Sequence, residues 1–192
     1  MTTRDVTLGK TVLAYDQFLT DPDVSQYIAQ MRDAYIAAGY TSFLDQADAA
    51  VRQVSNGLEA IAETGQEVIP LGPAEHPDWV RLGLISAFMG WILGRSSTCL
   101  HNPDPRYPQP IAAAAWKPGL VVCGRCAHLL AIPRNSVKDR TCDGCGRVTT
   151  GPENDDGIWP NTIVHGPLVY SLGTCRDCLY WDPEKGAPAS WT

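Results

Sequence analysis

The residues best equipped for chemistry are seven cysteines and one histidine, and they come in pairs. The pairs are Cys99-Leu100-His101, Cys123-Gly-Arg-Cys126, Cys142-Asp-Gly-Cys145 and Cys175-Arg-Asp-Cys178. Three are C-x2-C and the first is C-x-H. Two residues between cysteines let both sulfurs converge at ~2.3 Å on one ion, and thiolates with imidazole are zinc donors. Eight donors fill two closed tetrahedral sites. Two zinc ions are therefore expected on Cys99, His101, Cys123, Cys126, Cys142, Cys145, Cys175 and Cys178.

Other chemistries fit less well. Four thiolates also hold an iron–sulfur cluster, but the histidine and the glycine after Cys145 tilt towards zinc. A thioredoxin-like redox pair needs one C-x2-C in a βαβ setting, not three close together. Catalytic zinc keeps an open position, and eight donors in two sites leave none. No histidine has a glutamate two residues later, as a zinc deaminase requires. No H-E-x-x-H, P-loop, G-x-G-x-x-G or G-x-S-x-G is present. Structural metal without catalytic residues or a small-molecule substrate is the expectation. Among the other histidines, His128 competes with His101 as a ligand or is an ordinary helix residue. His165 falls in an expected hairpin turn, exposed to solvent, and His76 at a helix entry.

The elements around the ligands repeat. Residues 111–116, the turn at residues 117–119 and residues 120–123 read as strand, turn, strand, followed by a short helix from Cys123 to before Pro133. Residues 162–164, 165–167 and 168–172 read the same way, with a short helix from Cys175. Each copy has a ligand pair upstream. The order of knuckle, hairpin and C-x2-C at a helix start resembles the treble-clef zinc fingers. That resemblance covers residues 99 to about 182 and implies that the knuckle gives two ligands and the helix start two more. Cys142-Asp-Gly-Cys145-Gly146 looks like a zinc knuckle whose glycine permits the tight turn. The C-x-H pair departs from the pattern. The stretches 115–119 and 141–146 are also similar to small actinobacterial or phage zinc-finger proteins, a likeness that implies no activity. Three pairings stay open. The sequential one joins Cys99/His101 to Cys123/Cys126 and Cys142/Cys145 to Cys175/Cys178. A zinc ribbon would use the fifteen residues between Cys126 and Cys142. A cross-brace would join first to third and second to fourth. The repeat favours the sequential scheme.

Residues 1–96 read as an acidic helical region and 97–192 as a double zinc module. The fold class expected is α+β: an N-terminal helical bundle, then two small tandem treble-clef-like hairpin/helix units. Residues 1–19 fit short strands or one poor helix. After Asp21 as cap and Pro22, the residues Val24, Tyr27, Ile28, Met31, Ala34, Tyr35 and Ala38 fall on one helical face that Gly39 ends. A second helix, about 42–63, carries Phe43, Leu44, Ala47, Val51, Val54, Leu58 and Ile61, with Gly57 at a bend or close contact. A third, 77–94, is apolar nearly all round and so reads as a central helix covered by the others, with a protein interface as the second reading. Its uncharged run 82–94 spans about 20 Å as a helix, short of the ~30 Å of a bilayer core, so no membrane partner is expected.

The chain has 192 residues, 44% hydrophobic, with a net charge of -6. Residues 1–98 hold 6 basic and 12 acidic side chains, while residues 99–192 hold 9 of each. That balance lacks the basic footprint of a general nucleic-acid binder. A local excess does occur: Arg125, Arg134, Lys138, Arg140 and Arg147 face only Asp139 and Asp143 between residues 125 and 147. With Trp116, Trp159, Tyr170 and Trp181 as stacking platforms, that stretch supports nucleic-acid binding as the alternative. A regulatory or adaptor role through a protein partner is the first expectation. No apolar leader with a cleavage site follows Met1, and the cysteine count is odd, so a cytoplasmic chain with reduced thiols is expected.

Overall fold

The computed structural model describes residues 3–64, 71–151, 154 and 156–180. Four α-helices and one five-stranded sheet are built from them. Helix α1 is Thr3–Leu19, α2 Val24–Ala37, α3 Thr41–Glu63 and α4 Asp78–Ile92. The strands are β1 Ser97–Thr98, β2 Ile111–Ala114, β3 Leu120–Cys123, β4 Trp159–His165 and β5 Leu168–Thr174. Trp181 and the rest of the C-terminus lie outside the described residues.

Helix α4 is central because its apolar residues surround it. Val80, Leu84, Ile85, Met89 and Trp91 are buried. They share one core with Val121 of β3, Ile163 of β4, and Leu168, Tyr170 and Leu172 of β5. Helix α1 covers another side of α4 with Leu8, Val12, Tyr15 and Leu19, positions spaced for one helical face. Residues 1–19, open between strand and helix in sequence, are thus a helix from Thr3. Arg81 of α4 fastens it through Asp16 at 2.5 Å, an ion pair with both side chains mostly buried. The helix ends at Gly94, in the left-handed region at φ +62, and the next N–H groups fold back onto the Gly90 carbonyl.

Helices α2 and α3 form a hairpin turned by Gly39 at φ +82 and clamped by Arg32 and Asp48. Helix α2 starts at Val24 with Asp23, not Asp21, at its N-cap and no side-chain cap bond; Asp21 instead accepts from the Asp23 N–H at 2.8 Å in the turn before it. Helix α3 buries Ala50 and Val54, but α2 buries no residue. Tyr27, Ile28, Met31, Tyr35 and Ile36 stay 42–56% exposed. The expected bundle therefore closes only in part. The circumference of α4 is taken by α1 and the sheet, so the stripe on α2 is only partly covered, Tyr27 by Phe18 of α1 and Tyr35 by Phe43 of α3. Gly57 is exposed with open space around it, so it marks neither a bend nor a close contact.

Strand order is β1-β3-β2-β5-β4. Hairpin β2–β3 turns at Gly119 (φ +78) and hairpin β4–β5 at Gly166 (φ +55). The two hairpins are joined to each other. Strand β2 pairs in parallel with β5, Ile111 opposite Leu168 and Ala114 opposite Ser171, so both hairpins share one sheet. Every residue of β2 is buried, as a strand covered on both faces requires. Ile111 and Ala113 face the core with α4, whereas Ala112 and Ala114 face a second cluster with Val122, Cys123, Cys126 and Leu130. Alternation along one strand thus splits it between a helix-packed face and a face that carries ligands.

Candidate metal centres

Strand ends and knuckles bring the donors together in two groups. Cys99, His101, Cys123 and Cys126 form one, and Cys142, Cys145, Cys175 and Cys178 the other. Within each, the donor atoms lie within 4.8 Å of one another. This is the sequential pairing, and it follows from the hairpins. Cys123 ends β3, and β1 lies parallel beside β3, which places Cys99 next to it. Cys175 follows β5, where the second knuckle is docked: the Asp143 N–H donates to the Gly173 carbonyl at 2.8 Å and the Gly173 N–H returns to Asp143 Oδ2 at 2.8 Å. No side chain fits at Gly173, where a Cβ would come within 2.6 Å of Ile158.

The two centres are alike in detail. In each, the first cysteine of the C-x2-C donates its backbone N–H to the first knuckle sulfur: Cys123 to Cys99 Sγ at 3.5 Å, and Cys175 to Cys142 Sγ at 3.3 Å. Both of those cysteines have extended backbones, φ -68 and -75, before a 3-10 segment. Those segments, Gly124–Leu130 and Arg176–Cys178, stand where short helices were expected. A left-handed residue follows the last knuckle ligand each time, Gly146 at φ +74 and Asn102 at φ +42. Asparagine is among the few side chains that tolerate that region, so the shorter C-x-H knuckle turns as the longer one does. The exposed donor is likewise the second of each knuckle, His101 and Cys145.

Donor separations match a tetrahedral ion. Two sulfurs at ~2.3 Å from one centre lie about 3.8 Å apart. Cys99 and Cys123 are 3.8 Å apart, and so are Cys145 and Cys175. His101 Nδ1 lies 3.7 Å from Cys123 Sγ and 3.2 Å from Cys126 Sγ. All seven cysteines are free thiols, since a disulfide needs about 2.05 Å between sulfurs. Burial raises the Cys99 thiol, but N–H groups of Cys123 and His101 outweigh it and hold it at about 6. Cys175 falls to about 7, where the Cys178 N–H and the Arg147 guanidinium overcome its burial. Cys126 is pushed up to about 11 by burial and by hydrogen bonds to Cys123 and Cys99, and Cys178 also rises, again chiefly through burial. Each set thus pairs a lowered thiol with a raised one that keeps its proton, because two thiolates so close repel, and a divalent cation among them favours the thiolate on every one.

No protein-family model, curated protein or solved structure matches this chain.

The centres stand at opposite ends of the sheet. Cys123 lies in one row with Ile111 and Leu168, and β5 then runs to Thr174 before Cys175. At ~3.3 Å per residue, that separates them by about 20 Å. Arg125 belongs to the first end and Arg147 to the second. Arg147 pairs with Asp156 at 2.9 Å and Asp177 at 3.6 Å, and Lys138 lies 3.9 Å from Asp143. Arg134 is exposed and Arg140 half-buried. The basic stretch is thus divided between two ends and partly matched by local carboxylates. Tyr170 is buried, and Trp116 donates to the Leu130 carbonyl at 2.7 Å. His128 is exposed and outside both centres. His165 is not an exposed turn residue: it ends β4 and packs edge-on against Phe88 and Tyr15, at centroid distances of 5.3 and 6.1 Å. His76 Nδ1 lies 3.2 Å from the Tyr180 hydroxyl. Sequence reasoning missed Arg147 as a neighbour of a metal ligand, because Cys175, Asp156 and Asp177 are distant in the chain.

Proposed function

We propose that this chain is a zinc-binding regulatory or adaptor protein whose two zinc ions are structural and whose action is contact with another protein. The observation that carries the reading is two complete four-donor sets, each closed by its own hairpin. A full tetrahedron leaves no position for water or substrate, which separates structural from catalytic zinc. Each half-sheet then has the knuckle, hairpin and C-x2-C order of a treble clef. Residues 97–192 form the metal-bearing region, and residues 1–96 supply the helices. Among the described residues no helix is long and apolar enough to cross a membrane. Seven reduced thiols as ligands suit the cytoplasm. A protein partner is supported by the several large apolar side chains that α2 leaves exposed on an acidic body, since such surface marks interaction sites.

X-ray absorption at the zinc edge tests the metal assignment. The expected first shell, summed over two ions, is seven sulfurs and one nitrogen. Bound iron with sulfide would reject it. Fluorescence anisotropy with generic DNA and RNA at physiological salt tests the alternative reading. Binding weaker than ~10⁻⁴ M is expected, and tighter, steeply salt-dependent binding would favour the nucleic-acid role.

A further inference from the structure

A groove of about 280 Å³ opens between α4 and the end of β2, bordered on one side by the second knuckle. Its floor is small: Gly83 and Ala87 from α4, and Ala113, Ala114 and Ala115 at the end of β2. Two polar side chains reach it, Tyr170 from β5 and Asp143 from the second knuckle. Lys117 contributes only its stem, because its ammonium donates to the carbonyls of Leu129 at 2.6 Å and Ala131 at 3.1 Å.

Tyr170 is only 5% exposed. Its hydroxyl has no hydrogen-bond partner among the described residues and lies 2.7 Å from where a Cβ on Gly83 would stand. A glycine inside a helix costs about 1 kcal/mol relative to alanine, so the space it leaves over the hydroxyl carries a penalty. Asp143 Oδ2 is taken by the Gly173 N–H, but Oδ1 has only Lys138, at 3.9 Å, beyond hydrogen-bond reach. Groove and carboxylate therefore present acceptors, on a chain of net charge -6.

We infer that this groove binds a primary ammonium carried on a short aliphatic chain, held by Asp143 Oδ1 and the Tyr170 hydroxyl oxygen. The aliphatic part runs over the alanines, and the half-buried Trp79 ring flanks it. An ammonium suits the site better than a guanidinium. A bidentate fork needs both carboxylate oxygens, and one is already engaged. The volume also lies just under the ~300–1,000 Å³ of drug-sized pockets, which fits a chain of lysine length. Free alkylamines and lysine side chains share this chemistry. The lysine source rests on the protein-partner reading, and the free amine does not.

The test is a calorimetric titration of the zinc-loaded full chain at pH 7 with n-butylamine and with Nα-acetyl-lysine N-methylamide. Saturable binding of at least one is expected, with n-butanol and the arginine analogue about tenfold weaker or worse. Tyr170→Phe keeps the ring and should weaken the amine about tenfold through one lost hydrogen bond. Lys138→Ala removes the competing cation and should tighten it. Preference for butylamine assigns a small free amine, and equal or better binding of the lysine derivative assigns a partner's lysine. Absence of saturation with both amines, or equal binding of n-butanol, overturns the proposal, as does an unchanged Tyr170→Phe. Because zinc is counted separately, lost amine binding with both ions in place rejects the groove alone.

Discussion

Arg147 shows what one residue adds to a centre it does not ligate. Its positive charge beside Cys175 helps hold that thiol near 7, together with the Cys178 N–H, while Asp156 and Asp177 fix its position. Partners behind metal ligands typically contribute 10–100-fold in affinity. Arg147→Met should therefore weaken the second zinc by about tenfold or more and leave the first unchanged. A competitive titration with a chromophoric chelator reads both. Equal weakening of the two, or of neither, would mean that the guanidinium does not tune this centre. The neighbouring ligands were legible without coordinates, because C-x2-C spacing has a local cause. The support from Arg147 was not, because it depends on carboxylates and a sulfur brought in by other elements.

At the scale of elements, hairpins were the most readable parts. Lys117-Pro-Gly119 and Gly166-Pro167 carry turn residues between apolar runs, and a turn forms at each, with His165 at the end of β4. Helix α1 was not readable. Val6, Thr7, Thr11 and Val12 favour strands and Gly9 disfavours helix, yet contact of residues 8, 12, 15 and 19 with the core decides for helix. The same packing half-buries His165 between α1 and α4. Its burial lowers its pKa below 6.5, with the His76 charge adding to the effect. The unfolded chain therefore binds the extra proton first. Stability from His165 is fully present above pH 6.5 and is lost as pH falls through the lower folded value. Urea midpoints at pH 7 and pH 5 should fall less in His165→Phe than in the wild type. An equal fall would show that the ring is not held neutral by its burial.

Across the whole molecule, the parallel pairing of β2 with β5 matters most, and no local signal announced it. A hairpin has a turn to mark it, whereas two parallel strands more than fifty residues apart have none. That pairing turns two metal units into one sheet against α4. Leu168 and Leu172 are fully buried in β5, at the junction of the helical core with both hairpins. Leu172→Ala should cost about 2–5 kcal/mol of global stability, read by urea unfolding with both zincs bound. Helical and sheet signals should melt together. Separate transitions would show that the helices and the sheet are independent bodies.

The central claim is that two closed centres exist, each complete in its own set of four donors. Native mass spectrometry of the wild type, Cys99→Ser and Cys142→Ser tests it most directly. Two zinc ions in the wild type and one in each variant are predicted. One ion in the wild type, or loss of both from a single substitution in a chain that stays folded, would contradict the account.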